Sequence, residues 1–371
     1  MEIDLMAPAL HMVPPSAIQD KLNQIWESLE TTNTTRACLF NLIFYTKKNY
    51  RAAYIQRLAQ AVVEKFPARV IFVSLDETAG EDFLKTQVSI LSSSKGEYDV
   101  ACDFIQIDAS GPSQVKVPFI VLPNVLPDLP VYLVIAEDPS HDDPLANQLK
   151  KFAHRLIFDS ESTDNLSHFA ASSLQQAADE QIDIADLNWA RIESWREMLS
   201  AAFYSEDRME HLNRVHSIQL TYNSHSSTYF CHTRIQALYL QAWLACQLKW
   251  DLNQVRKDKD VLCVDYKREK SPLEISLIPV SHAHLPPGLI LTMELTTSEG
   301  THFSFARDFE LIHQITLSIS TPQHCELPCK YIFAKAESGH SLVKEICHRG
   351  TSQHFINTLK LLKHMDGQDL C

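Results

Sequence analysis

The chain has 371 residues, 45% hydrophobic and 21% charged, a globular balance that excludes a mostly disordered chain. Single cores stop growing at about 250–300 residues, so two domains are expected. A formal net charge of -13 argues against a general nucleic-acid or anionic-membrane binder, and the 8 glycines are too scattered to write GxGxxG or GxxxxGK anywhere.

Residues 1–15 read as a loose leader, with an acidic start where a signal peptide needs a basic one. From Ser16, a plausible N-cap, Ile18, Leu22, Ile25, Trp26 and Leu29 recur at helical spacing. ACLFNLIFY (37–45) is nearly all apolar, as a buried strand should be. A helix over 50–66, capped by Asn49, puts Tyr54, Leu58, Ala61, Val62 and Phe66 on one face, and RVIFVSL (69–75) is a second buried strand. Strand, helix, strand is the seed of a parallel sheet.

Strands follow at 86–92 and 99–107, read as an antiparallel pair. The apolar stretch 117–130 holds too many prolines for one uninterrupted helix. A strand at 131–136, a helix at 144–153, a strand at 155–160 and a helix at 164–177 complete an open, mostly parallel α/β sheet domain over 16–180.

The acidic segment 177–186 marks the boundary to an α+β domain over 181–371. Its helix at 186–203 carries Trp189, Ile192, Trp195, Leu199 and Phe203 on one core-facing stripe, with Arg191 placed to stack on Trp195 and Arg196 to pair with Glu193. A strand at 214–222 precedes a helix at 233–250 that is apolar almost all round and therefore buried. VLCVDY, LEISLIP, LILTMELT, THFSFAR and LIHQITLSI (311–319) then form a mainly antiparallel meander, and helices at 340–348 and 352–364 close the chain.

No catalytic constellation can be written: there is no GxSxG, no HExxH and no CxxC. The strand–helix junction at 46–50 offers Lys47, Lys48 and Asn49 to an anion, or is a solvated turn. Cys325 and Cys329 beside His324, with Cys347 and His348, could hold zinc or be separate thiols; His282 and His284 read as an exposed turn rather than metal ligands. Nine scattered cysteines suit reduced thiols and a cytoplasmic protein, with Cys325 and Cys329 the pair nearest to joining under oxidation.

Six blocks occur in one order: RACLFNLIFY (36–45), FPARVIFVSLD (66–76), VLPDLPVYL (125–133), AHRLIFDS (153–160), DLNWARIESWREML (186–199) and ALYLQAWLACQLKW (237–250). Together they resemble the glucose-6-phosphate dehydrogenase assembly protein family, OpcA. The matching positions are Arg36, Arg69, the Leu126–Pro130 turn, Arg155, Asp159, Trp189, Arg191, Trp195, Arg196 and Trp250. Val134, Ile135 and Ala136 depart from the family, which has aromatics there. The resemblance implies a non-catalytic partner of glucose-6-phosphate dehydrogenase that promotes its active oligomer, without catalytic residues, metal or cofactor. Arg191, Arg196, Leu126, Asp128 and Leu129 are its expected contacts. The rivals are a sugar-phosphate enzyme using the 46–50 junction and a zinc-dependent module at the C-terminal cysteines.

Overall fold

The computed structural model describes residues 10–29, 34–48, 51–93, 99–179, 182–227, 229–230, 232–268, 272–333, 340–348 and 350–365. In chain order they form β1 (His11–Val13), α1 (Ile18–Leu29), β2 (Thr34–Arg36), β3 (Asn41–Lys47), α2 (Ala52–Val63), β4 (Arg69–Leu75), β5 (Phe83–Ser93), β6 (Asp99–Ser110), α3 (Val117–Asn124), β7 (Val131–Ile135), α4 (Pro144–Lys150), β8 (Arg155–Phe158), α5 (Leu166–Asp179) and β9 (Asp183–Asp186). Then come α6 (Leu187–Arg191), α7 (Glu193–Ala202), α8 (Glu206–Asn213), β10 (Val215–Asn223), α9 (Ile235–Gln247), β11 (Asp251–Asp258), β12 (Val261–Lys267), β13 (Leu273–Val280), β14 (Ile290–Thr297), β15 (His302–Arg307), β16 (Gln314–Ser320), β17 (Cys329–Ile332), α10 (His340–Cys347) and α11 (Gln353–Leu362).

These elements make two compact units. The first takes residues up to Asp159 plus Glu180–Ala185 and Ser338–Gly350; the second takes Ser160–Asp179, Asp186–Glu337 and Thr351–Cys371. The acidic stretch at 177–186 is thus one of several places where the chain passes between units. α5 packs on α11 inside the second unit, while α10 packs on α2 inside the first.

The first unit is built on a sheet in the order β1-β5-β6-β4-β3-β7-β8-β9, with β2 beside the start of β6. β6, β4, β3, β7 and β8 run parallel. In chain order these five sit as third, second, first, fourth and fifth, the doubly wound arrangement, so the strand order reverses between β3 and β7. β3 and β4 are buried along nearly their whole length, as central parallel strands are, with α2 packed on both. β5 and β6 are antiparallel, as expected, and longer than their apolar pattern suggests.

Several expectations change at the ends of elements. Residues 11–13 of the expected leader are a strand, antiparallel to β5. Ser16 lies inside a 3-10 turn at Pro15–Ala17 and does not cap α1, which starts at Ile18. The proline-rich stretch does hold a short helix, α3, because Pro118 sits in its first turn where no N–H is needed; it ends at Asn124.

The second unit's sheet runs β11-β12-β13-β10-β14-β15-β16-β17. It is two antiparallel meanders joined by β10, which pairs parallel with β13 and antiparallel with β14. α9 is buried almost all round, as its sequence requires. The expected helix at 186–203 is two helices, α6 and α7, parted at Ile192 (φ -90°, ψ 3°). The expected strand at 311–319 starts only at Gln314, because the Asp308 carboxylate accepts from the Glu310 and Leu311 amides and holds a turn.

Candidate functional site

In an open α/β sheet a ligand usually binds outside the carboxyl ends of the strands where their order reverses. Here, at the ends of β3 and β7, the chain's own side chains hydrogen-bond one another. Glu137, just past β7, accepts from the Lys47 backbone N–H at 2.6 Å and from Thr46 Oγ1 at 3.4 Å. Burial pushes the Glu137 carboxyl above its ordinary range, against the pull of the Lys47 amide and ammonium.

The neighbouring groups are paired in the same way. Tyr45 donates to Asp143 Oδ2 at 2.6 Å, and Asp143 caps α4 by accepting from the Ala146 amide. Lys47 Nζ lies 2.7 Å from Glu77 and Lys48 Nζ 2.9 Å from Asp76. The Lys48 ammonium, helped by Thr78, holds Asp76 near about 2. Buried Arg51 meets buried Asp159 at 2.5 Å. The anion reading of the junction therefore meets lysines already on carboxylates; its third member, Asn49, lies outside the described residues. A phosphate entering here would face Glu137, Asp143, Asp76 and Glu77.

At the opposite, amino end of the strands a second arrangement is built around the Leu126–Pro130 turn. Asn41, fully buried at the start of β3, donates through Nδ2 to the carbonyls of Leu126 (3.0 Å) and Leu129 (3.3 Å) and accepts from the Leu126 N–H (2.8 Å). Asp128 takes the left-handed conformation (φ 64°), which Asp tolerates better than most residues. Leu126 and Leu129 are half-buried, and Asp128 and Pro127 exposed. On α3, which leads into the turn, Phe119 and Leu122 point outward, 75% and 54% exposed; Leu39, just before β3, is 54% exposed.

This edge is tied down from below. Arg69 donates to the Asn124 carbonyl at 3.0 Å, fixing the end of α3, and through Nε to Asp103 at 3.0 Å. Asp103 also accepts from Trp26 Nε1 (2.7 Å) and Arg36 (2.8 Å). Burial opposes its charge, but the Arg69 guanidinium, with Arg36 and Trp26, outweighs it and holds the carboxyl below the ordinary range. Arg36 and Arg69, far apart in sequence, thus meet on one carboxylate. Asn41, Asp103 and Glu137 were missed in the sequence; an Asn inside an apolar strand was the one available signal.

Arg191 and Arg196 belong to the second unit. Trp189, Ile192, Trp195, Leu199 and Phe203 are all buried, as their spacing predicts. The break at Ile192 parts the two arginines between α6 and α7. Arg191 donates to Asn188 at 2.6 Å and lies over Phe230 (5.0 Å). Arg196 stacks 3.5 Å from Trp189 and donates to its carbonyl, while Arg307 faces Trp195 at 5.7 Å. Arg307 is buried, and that pulls its guanidinium down to about 10.

The zinc reading finds no support in the placement of its residues. Among the described residues no group of three His, Cys, Asp or Glu side chains could hold a metal ion. Cys325 and Cys329 are exposed free thiols. They sit opposite Ser320 and Leu317, three residues apart on β16, which at ~3.3 Å per residue is about 10 Å, beyond the ~7 Å that a disulfide spans. Among the described residues no helix is long and apolar enough to cross a membrane.

Residues 59–175 match the family model described as glucose-6-phosphate dehydrogenase subunit N-terminal domain, and 182–329 match its C-terminal counterpart; both models carry the name OpcA. The OxPP cycle protein OpcA of Synechococcus elongatus is 25% identical over 295 residues, 76% of this chain and 61% of that protein. The OpcA of Nostoc punctiforme is 22% identical over 252 residues, 65% and 52% of the two chains. The chain therefore spans little more than half the length of these relatives. Among solved structures, an NADPH-dependent oxidoreductase of Desulfitobacterium hafniense matches with a TM-score of 0.50 at 11% identity, over 87% of this chain and 93% of that one, a likeness of fold alone. With both domain models matched in order across most of its length, this chain belongs to the OpcA family of glucose-6-phosphate dehydrogenase assembly proteins.

Proposed function

We propose that the protein is a non-catalytic partner of glucose-6-phosphate dehydrogenase that binds the enzyme and promotes its active oligomer in the oxidative pentose phosphate pathway. The observation that carries this reading is Glu137: on a doubly wound sheet, its carboxylate takes up the Lys47 amide beside the point where the strand order reverses, the usual place for a ligand in such sheets. A negative carboxylate at that point disfavours a phosphate ligand and leaves the chain's surfaces to act with. The free thiols among its described cysteines support a reducing compartment such as the cytoplasm.

The surface best suited to the partner is the Leu126–Pro130 turn with Phe119 and Leu122. Phe119 and Leu122 are apolar and exposed, and Asn41 hydrogen-bonds the turn in place, so little order is lost on docking. Arg191 and Arg196 already serve contacts inside their own unit and are the weaker contact candidates. Co-purification with the cognate dehydrogenase followed by native mass measurement tests the proposal. A mixed complex is expected; two separately eluting species at micromolar concentration would contradict it.

A further inference from the structure

The sheet of the second unit has two unlike faces. Along β13, β14, β15 and β16, buried residues alternate with half-buried or exposed ones, so each strand turns one side inward. The inward side packs against helices: Phe203 of α7 meets Phe303 and Phe305, and the Tyr266 hydroxyl donates to Gln241 of α9 at 2.6 Å. On the other side Ser276, Gln219, Glu294, Ser304 and Ser318 stand next to one another across β13, β10, β14, β15 and β16. Thr221, Thr292 and Thr316 repeat the hydroxyl pattern one row on. All eight are half-buried or exposed.

A polar sheet face can simply be solvated, and long charged side chains are the residues that water favours most. Among the described residues, these five strands put no lysine or arginine on this face. Serine and threonine hydroxyls both donate and accept, so a face lined by them complements a copy of itself, as a two-fold interface requires. Their short side chains also have little rotamer freedom to lose on packing. Charge points the same way. At a net charge of -13 two copies repel each other over most approaches, but the carboxylates of this face are matched within it. Glu294 faces His302 at 2.8 Å and accepts from Ser304 at 3.2 Å; Asp265 and Glu274 both face Arg256 of β11. The size is sufficient. The sheet has eight strands, which at ~4.8 Å apart and ~3.3 Å per residue give a face of about 800 Å², the area each partner contributes to a stable interface.

We infer that this face docks a second copy of the chain, hydroxyl rows against hydroxyl rows about a two-fold axis. The inference goes beyond the assembly role and does not depend on it.

Light scattering on the eluting full chain tests it. At about 10 µM, twice the mass of one chain is expected. Gln219 and Ser318 are exposed, so Gln219→Lys combined with Ser318→Lys should keep the melting temperature while placing unmatched cations in the interface, and should return a monomer. Ser318→Lys alone should weaken the dimer at least about tenfold. Phe119→Ser, in the first unit, should leave the dimer intact. A monomeric wild type, a double variant that stays dimeric, an unchanged dimer affinity in Ser318→Lys, or a dimer lost in Phe119→Ser would each overturn the inference. A monomeric wild type whose binding to glucose-6-phosphate dehydrogenase is lost in the double variant would overturn it by giving the face to the enzyme.

Discussion

Asp103 gathers Trp26, Arg36 and Arg69 onto one buried carboxylate, so its removal should be felt beyond its own position. Asp103→Asn leaves the buried Arg69 guanidinium without its counter-charge, a change that costs about 3–5 kcal/mol in comparable pairs. The carboxyl is held below its ordinary range, so its contribution is complete above the unfolded carboxylate value of about 4 and is lost as pH falls through the lower folded value. Melting curves across acid pH should therefore show a steeper acid limb for wild type than for Asp103→Asn. Equal limbs would mean the carboxylate adds nothing to the folded state. Trp195→Ala truncates a buried ring that clusters with Arg307 and Phe333 and should cost about 3–5 kcal/mol, read from the denaturation midpoint.

The Leu126–Pro130 turn is an element whose shape is set by a residue elsewhere. Asn41→Ala removes three hydrogen bonds and leaves Leu126 and Leu129 backbone groups without their partner, at about 1–3 kcal/mol for each unsatisfied buried group. Phe119→Ser and Leu122→Ser change only exposed side chains and should hold stability within about 0.5 kcal/mol. Both should nonetheless lower activation of the dehydrogenase; full activation by the double variant would move the partner surface away from α3. The parallel strands were legible because burial on both faces leaves a continuous apolar run, as in β3 and β4. β11, with a largely exposed and charged DLNQVRKD, and short β17 carry no such run; pairing with their neighbours makes them strands. The break at Ile192 was illegible for a related reason: the stripe of buried side chains continues through it, and only the backbone turns.

Over the whole molecule, the family was legible from ordered blocks, while the geometry behind it was not. The low glycine count hinted at a crevice without a phosphate loop, but nothing local in the sequence joins Glu137 to the Lys47 amide. The Glu137 carboxylate on the Lys47 amide predicts no binding of NADP to the isolated chain; a micromolar dissociation constant by fluorescence titration would contradict it. The central claim is tested most directly by the rate of NADPH formation from glucose 6-phosphate by the cognate dehydrogenase, with and without this chain at saturating concentration. No rate is expected from the chain alone, and a clear rise when the two are mixed. An unchanged dehydrogenase rate, or turnover by the chain by itself, would contradict it.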